Sequence, residues 1–300
     1  MVNDNLEIDL SDLIKLLWKQ KWLVIFITVF FSIASVLFAL SKPNLFRSEA
    51  VLFPVSDENS PSGTMSQLGG IAALAGLGGE DGSKQQVALE ILRSRAFLMA
   101  FIERRDILVP LMALKEWNYR TDTITYDSSI YDVEDKKWVR EVREGKDPKP
   151  TLLEAYEELN ELIEITKSKS GATIIAVLTQ SPKLSQQWVE WLLEDLNTWM
   201  KEKDIRSIRD NIHYLKAQLS NTQLSETQTV FYQLIEEQIK KLMLAEAQRE
   251  YVYEVIDPPV VPEEKDSPSR GIICVLGTFL GGLLSIIVAL VRIALSRSRK

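Results

Sequence analysis

Apolar and polar positions separate into blocks along this chain. Two blocks, residues 22–40 and 271–291, contain no Asp, Glu, Lys or Arg. A helix rises about 1.5 Å per residue, so ~20 apolar residues cross a hydrocarbon slab ~30 Å thick, and both blocks predict transmembrane helices. A cleaved signal peptide is the other reading of the first block. It fits poorly: the block exceeds the usual ~7 to 15 apolar residues, acids precede it, and no small-x-small cleavage site comes before Ser41 and Lys42.

Lys15, Lys19 and Lys21 precede the first block, and Arg292, Arg297, Arg299 and Lys300 follow the second. The positive-inside tendency then puts both termini in the cytoplasm and the long middle segment on the far side, which in a bacterium is the periplasm. The expected organisation is a cytoplasmic tail at 1–21, a span at 22–40, a periplasmic domain at 41–270, a span at 271–291 and a tail at 292–300.

Inside that domain the periodicity changes several times. Residues 45–55 are rich in β-branched and aromatic side chains and end at Pro54, which predicts a strand. Residues 56–83 are mostly Ser, Gly, Asp and Ala around an apolar island at 71–77, a loop with a short helical piece. A helical apolar face returns over 84–105, and residues 118–150 are charged and read as less ordered. Thr151 and Glu154 have capping-box spacing, which predicts a helix to about Ile165.

Residues 172–179 form a compact β-branched run between Gly171 and Ser181-Pro182 and predict a buried strand. Ser181 suits an N-cap and Pro182 the first helical position, opening a helix that runs to about Asn221. Its apolar residues form two stripes out of phase near Lys203: Trp188, Leu192, Leu196 and Trp199, then Ile205, Ile208, Ile212, Leu215 and Leu219. Ser225 and Gln228 suggest a second capping box and a helix to about Arg249, so long helices occupy about 182–249 with a corner at 220–224. Residues 251–257 alternate like a strand before Pro258-Pro259. The expected fold is α+β: a small mixed sheet at a membrane-proximal base, a long helical arm, and a transmembrane helix near each terminus.

Composition narrows the class. Between the two blocks and their tails there are about ten more acids than bases, which argues against a nucleic-acid partner and against adhesion to anionic lipid. The single cysteine, Cys274, lies in the second block, so the domain is held without disulfides.

Candidate chemistry is sparse. The single histidine, His213, supplies neither an HExxH pair nor a metal cage, and no GxSxG elbow is present. Asp132 and Glu134 resemble a metal-nucleotide carboxylate pair but sit in a charged loop, and Glu157, Glu158, Glu161 and Glu164 read as a solvated helix face. No catalytic residue, cofactor site or metal site is expected. Gly277 and Gly281 have GxxxG spacing, which lets a second helix approach closely in lipid, although many spans carry such pairs unused.

The order of these features resembles the Wzz-type O-antigen chain-length determinants, the polysaccharide co-polymerases of Gram-negative inner membranes. The sharpest part is Pro259-Val260-Val261-Pro262, then Ser267-Pro268, then Gly281-Gly282 in the second span. The family's usual Lys after Ser-Pro is Ser269 here, followed by Arg270, and the small residues expected beyond the Gly pair are partly replaced by Leu283, Ser285 and Ile287. Asp12-Leu13-Ile14 with Trp18, Lys21-Trp22, the Gly-Ala-Leu island at 69–77, and Ala88 to Leu92 with Ser94-Arg95 complete the likeness.

The resemblance implies a periplasmic α/β base, a helical arm, and a ring-like homo-oligomer that sets how many repeats the O-antigen polymerase adds. The implied partners are further copies of the chain, the polymerase, the growing glycan and membrane lipid. Some relatives carry or depend on a cytoplasmic tyrosine-kinase domain. This sequence has no GxxxxGK[S/T] loop and ends nine residues after Val291, so phosphoryl transfer is not expected of it.

The expected function is therefore non-enzymatic regulation of polysaccharide length, as a scaffold or timer. The stripe from Ile205 to Leu219 is the candidate subunit contact; the other reading packs it on the 225–249 helix of the same chain. A coiled-coil adaptor of an export machine would show more strands than this chain offers, and a sugar-modifying enzyme would need a carboxylate or nucleotide site that is not found.

Overall fold

The computed structural model describes residues 20–55, 80–169, 171–221 and 225–297. In chain order the elements are α1 (Lys21–Ser41), β1 (Phe46–Pro54), α2 (Glu80–Leu92), α3 (Arg95–Arg105), α4 (Leu108–Met112), β2 (Leu114–Asn118), β3 (Thr123–Tyr126), β4 (Tyr131–Asp132), β5 (Lys137–Trp138), α5 (Leu152–Leu162), β6 (Ile163–Lys167), β7 (Thr173–Thr179), α6 (Pro182–Ser220), α7 (Ser225–Ala247), β8 (Tyr253–Asp257) and α8 (Arg270–Arg297). They divide into two units, Met1–Leu45 with Lys265–Lys300, and Phe46–Glu264.

The first unit is the pair α1 and α8, which pack on each other. Both are long and apolar enough to cross a membrane, yet only 6% and 17% of their most apolar windows are buried in the protein. Trp22, Phe26, Phe279 and Leu280 are all exposed. Leaving such side chains in water forfeits about 1.5–3 kcal/mol each, so this surface suits lipid.

The second unit is built on a four-stranded sheet of order β6-β7-β1-β8. The three strands expected at 45–55, 172–179 and 251–257 do share one sheet. Its expected mixed character is corrected, because every pairing in it is antiparallel. One of these pairs is made by β6, a strand that replaces the expected end of the 151–165 helix. A connection of residues 168–172, with Gly171 at φ 87°, returns β6 directly into β7, and so short a link permits only antiparallel neighbours. The shift also takes Glu164 off the proposed glutamate face of a helix and onto a strand, where it pairs with Arg47.

Helices α2, α3, α5 and the first half of α6 contribute the core, which centres on Trp188, Phe97, Phe101, Leu192 and Ile175. The single helix read over 84–105 is two, because the Ser94 Oγ accepts the Phe97 N–H at 3.2 Å and starts α3 afresh. The region expected to be less ordered carries two hairpins, β2-β3 and β4-β5. Here Asn118, Asp122 and Asp127 supply turn chemistry that competes with the charge-based reading.

The capping box at Thr151 is present, with both reciprocal bonds formed. The island at 69–77 falls outside the described residues, as do Asp12, Leu13, Ile14, Trp18 and the side chain of Ser225 on which the second box depends. Ser181 is the N-cap residue of α6 but makes no side-chain cap bond.

Glu154 of the Thr151 box also accepts the Arg140 guanidinium at 2.6 Å, and that bond holds its carboxyl below the ordinary value of 4.5. A lowered folded pKa contributes stability that is present above the unfolded pKa and lost as pH falls through the folded one. Thermal unfolding of the full chain in detergent is therefore expected to fall on acidification below about pH 4.5. Glu154→Gln should make that fall shallower; an identical profile for the variant would remove Glu154 from the effect.

Candidate functional site

The two helices of the first unit meet through small residues. A Cβ added at Gly277 would lie 2.3 Å from the Ser35 Cβ, and one at Gly281 would lie 2.5 Å from the Phe31 Cβ. Both glycines therefore set the approach of α8 to α1, whereas a Cβ at Gly282 meets nothing within 4 Å. Hydroxyl groups line the same seam. Thr278 Oγ1 lies 3.2 Å from Ser32 Oγ, and Thr28 Oγ1 lies 3.4 Å from Ser285 Oγ. Three of these hydroxyls also donate to a backbone carbonyl of their own helix, Ser285 at 2.6 Å, Thr278 at 2.8 Å and Thr28 at 2.9 Å. In lipid such pairs satisfy polar groups that have no water to turn to. The reading from sequence missed Thr28, Ser32 and Ser35, although their spacing of four and three puts them on one helical face and was available as a signal.

The proline-rich motif contributes to each unit separately. In the first, Leu45 N–H donates to the Ser267 carbonyl at 2.8 Å, Asp266 N–H donates to the Leu45 carbonyl at 2.9 Å, and Arg270 donates to Asn44 at 3.0 Å, tying the chain ends just outside the two helices. Pro268 accepts the Arg270 N–H. In the second, Pro258 and Pro259 close β8, the Val260 carbonyl accepts the Ser48 hydroxyl at 2.7 Å, and Pro262 is half-buried.

The arm is α6 with α7. Up to Met200, α6 is buried in the core; beyond it the helix runs on for 20 residues, about 30 Å, with α7 packed along it. This accounts for the two stripes: the first faces the core and the second faces along the arm. Ile205, Ile208, Ile212, Leu215 and Leu219 are each half-buried, and Ile235 and Ala245 of α7 are buried. The outer sides of α7 leave Val230, Tyr232, Leu234, Met243 and Leu244 exposed.

The root of the arm is pinned by polar contacts. Lys201 Nζ donates to the carbonyls of Glu246 and Gln248 at 2.9 and 2.7 Å, capping the end of α7, and Asn197 Oδ1 accepts the N–H groups of Tyr251, Val252 and Tyr253. Beside them lies an open cleft of about 890 Å³ lined by Glu190, Glu194, Glu202, Lys201, Arg249 and Pro259 among others. Arg105 at the end of α3 holds the buried Asp195 at 2.7 Å and Glu194, which also lines the cleft, at 2.7 Å.

His213 is exposed on α6, and Asp132 spends its carboxylate on the N–H groups of Glu134 and Asp135 in a turn. Among the described residues no group of three His, Cys, Asp or Glu is placed to hold a metal ion.

Residues 6–104 match the family model of the Wzz chain length determinant protein. The matched segment is about a third of the chain. It runs from the N-terminal tail through α1, β1 and α2 to the last turn of α3. No curated protein matches the chain.

Among solved structures, a full-length bacterial polysaccharide co-polymerase is similar at 15% identity, with 96% of this chain and 99% of that one covered and a TM-score of 0.39. A fragment of the WzzB polysaccharide co-polymerase from Salmonella Typhimurium aligns at 14% identity over 75% of this chain and 100% of its own, with a TM-score of 0.31. A mutant of the Shigella flexneri lipopolysaccharide O-antigen chain-length regulator WzzBSF aligns at 9% identity over 74% and 100%, with a TM-score of 0.20. These superpositions are loose, and the functional reading rests on the family match over residues 6–104.

Proposed function

We propose that this protein is a non-catalytic regulator of O-antigen chain length in a Gram-negative inner membrane. Both termini lie in the cytoplasm, residues 41–270 lie in the periplasm, and homo-oligomers of the chain act on the O-antigen polymerase as a scaffold or timer. The observation that carries the reading is the Wzz match over residues 6–104, in a chain with a membrane-length helix near each end.

The remaining geometry is compatible with a scaffold. The arm puts apolar residues of α6 and α7 at the surface of a projecting hairpin, and such residues gain burial only against another copy or another protein. On this reading the subunit contact runs along the arm, with the stripe from Ile205 to Leu219 at its centre, and the Gly277 and Gly281 seam packs the two membrane helices on each other.

Gel analysis of lipopolysaccharide from a deletion strain tests the function. Loss of the modal cluster of chain lengths, with short and random-length O-antigen still made, is the expected result. Loss of all O-antigen would assign the protein to synthesis or export, and an unchanged ladder would remove it from O-antigen altogether.

A further inference from the structure

The hairpins that follow α4 concentrate aromatic residues on an open surface. In β2-β3, Trp117 pairs with Ile124 and Leu114 with Tyr126, and residues paired in this way share a face of the hairpin. In β4-β5, Tyr131 pairs with Trp138. The rings meet edge to face in two short chains, Phe46 to Trp117 at 5.3 Å and Trp117 to Tyr119 at 5.9 Å, then Tyr126 to Tyr131 at 6.3 Å and Tyr131 to Trp138 at 5.0 Å. Tyr119 is 81% exposed, and Trp117, Tyr126, Tyr131 and Trp138 are each half-buried.

Polar groups are interleaved with these rings and held in place. Trp117 Nε1 donates to Asp122 at 2.9 Å, and Lys183 pairs with the other oxygen of the same carboxylate. Asn118 accepts the N–H groups of Arg120 and Thr121, and the hydroxyls of Thr121 and Thr123 lie 2.7 Å apart. The side chains of Glu116 and Arg120 are exposed and take no partner among the described residues. Indole and phenol rings with an anchored carboxylate, an amide and hydroxyls between them match the chemistry of a sugar ring. A pyranose offers weakly positive C–H groups on its faces, which favour the negative face of an aromatic ring, and hydroxyls at its rim, which donate to carboxylates and amides.

Charge favours the same occupant. Over residues 114–138 there are six acids and four bases, so the surface offers neither the cationic field that a nucleic acid needs nor the basic cluster that an anionic lipid needs. An uncharged polyhydroxylated chain needs neither.

We propose that the aromatic surface of β2 to β5, headed by Trp117 and Tyr119, is a contact site for the polysaccharide, taking pyranose units by ring stacking and hydroxyl bonding. The identity of the polymer rests on the function proposed above; the location rests on the rings. The site is a weak one that grips the chain along its length, as suits a polymer that must slide on.

The test uses the full chain in nanodiscs, titrated calorimetrically with polysaccharide released by mild acid from the host's own lipopolysaccharide. Binding is expected for the wild-type chain. Tyr119→Ala, at a position too exposed to affect folding, is expected to weaken it about three- to tenfold, the size of one ring contact. Adding Trp117→Ala should abolish it, whereas Trp117→Phe with Tyr119 intact should retain most of it.

Wild-type affinity in the Tyr119→Ala chain, or no binding by the wild-type chain, overturns the proposal. Quenching of Trp117 by brominated lipid, judged against Trp117→Phe, would assign the surface to the bilayer instead and also overturn it. The two levels separate cleanly. An unchanged lipopolysaccharide ladder in the deletion strain defeats the function, while a ladder that needs the protein but is fully restored by the Tyr119→Ala, Trp117→Ala chain defeats only this site.

Discussion

Replacing Arg105 with Ala is expected to lower the stability of the second unit by about 3–5 kcal/mol, the range found when one partner of a buried ion pair is removed. Arg105 bonds Asp195 through two nitrogens, at 2.7 and 3.4 Å, and its guanidinium also lies 5.2 Å from the Trp191 ring. The Asp195 side chain keeps only 5% of its exposure, so without Arg105 a buried carboxylate is left with Arg104 alone, 3.5 Å away and itself half in solvent. The loss reflects that stranded charge rather than the net worth of the pair. The double variant Arg105→Met, Asp195→Leu is accordingly expected to recover most of it, since apolar groups of similar volume replace buried ion pairs at little cost. Denaturant unfolding of the full chain in detergent, followed by tryptophan fluorescence, reads both. A loss under about 1 kcal/mol for the single variant would mean the pair behaves as a surface bridge.

Gly281→Leu is expected to force α1 and α8 apart. Even a Cβ at this position would stand 2.5 Å from that of Phe31, inside any real contact distance, and three further carbons have nowhere to go without moving a helix. Overpacking of this kind costs about 1–3 kcal/mol in a well-packed interior. In lipid, where helices associate through close contact and hydrogen bonds rather than by escape from water, little else compensates. Cysteines at Ser32 and Thr278, whose oxygens lie 3.2 Å apart, report the seam by disulfide formation in a Cys274→Ser background. The yield should fall about tenfold with Gly281→Leu, as a shift of about 1.4 kcal/mol implies. Gly282→Leu, facing open space, should leave the yield unchanged. Equal yields from the two leucine variants would show that the glycines do not set the approach.

The reach of local pattern is visible in particular residues. Thr151 and Glu154 lie three apart, so the cap they form is encoded within one turn and was legible. The out-of-phase stripes of α6 likewise marked the point near Lys203 where its surroundings change, because a helix turns a change of neighbour into a change of phase. Ser94 was present as an N-cap residue inside an otherwise continuous apolar face, and the face concealed it. Strand β6 reads as the end of a helix because Ile163 to Lys167 is too short to show its own period against the helix before it. The aromatic hairpins were obscured by charge, which says little about turns whose geometry rests on Asn and Asp side chains.

By itself the sequence determined the two membrane-length helices, the long helical arm and three of the four strands of the central sheet, since each follows from periodicity or apolar length within a contiguous segment. Only the tertiary structure decided that the sheet is antiparallel throughout, that Gly277 and Gly281 meet Ser35 and Phe31, that Asp195 is buried against Arg105, and that Trp117 and Tyr119 lie on one open surface with Asp122. Those outcomes depend on which distant segments come together, and hydrophobic periodicity specifies that a face will be buried without specifying what buries it.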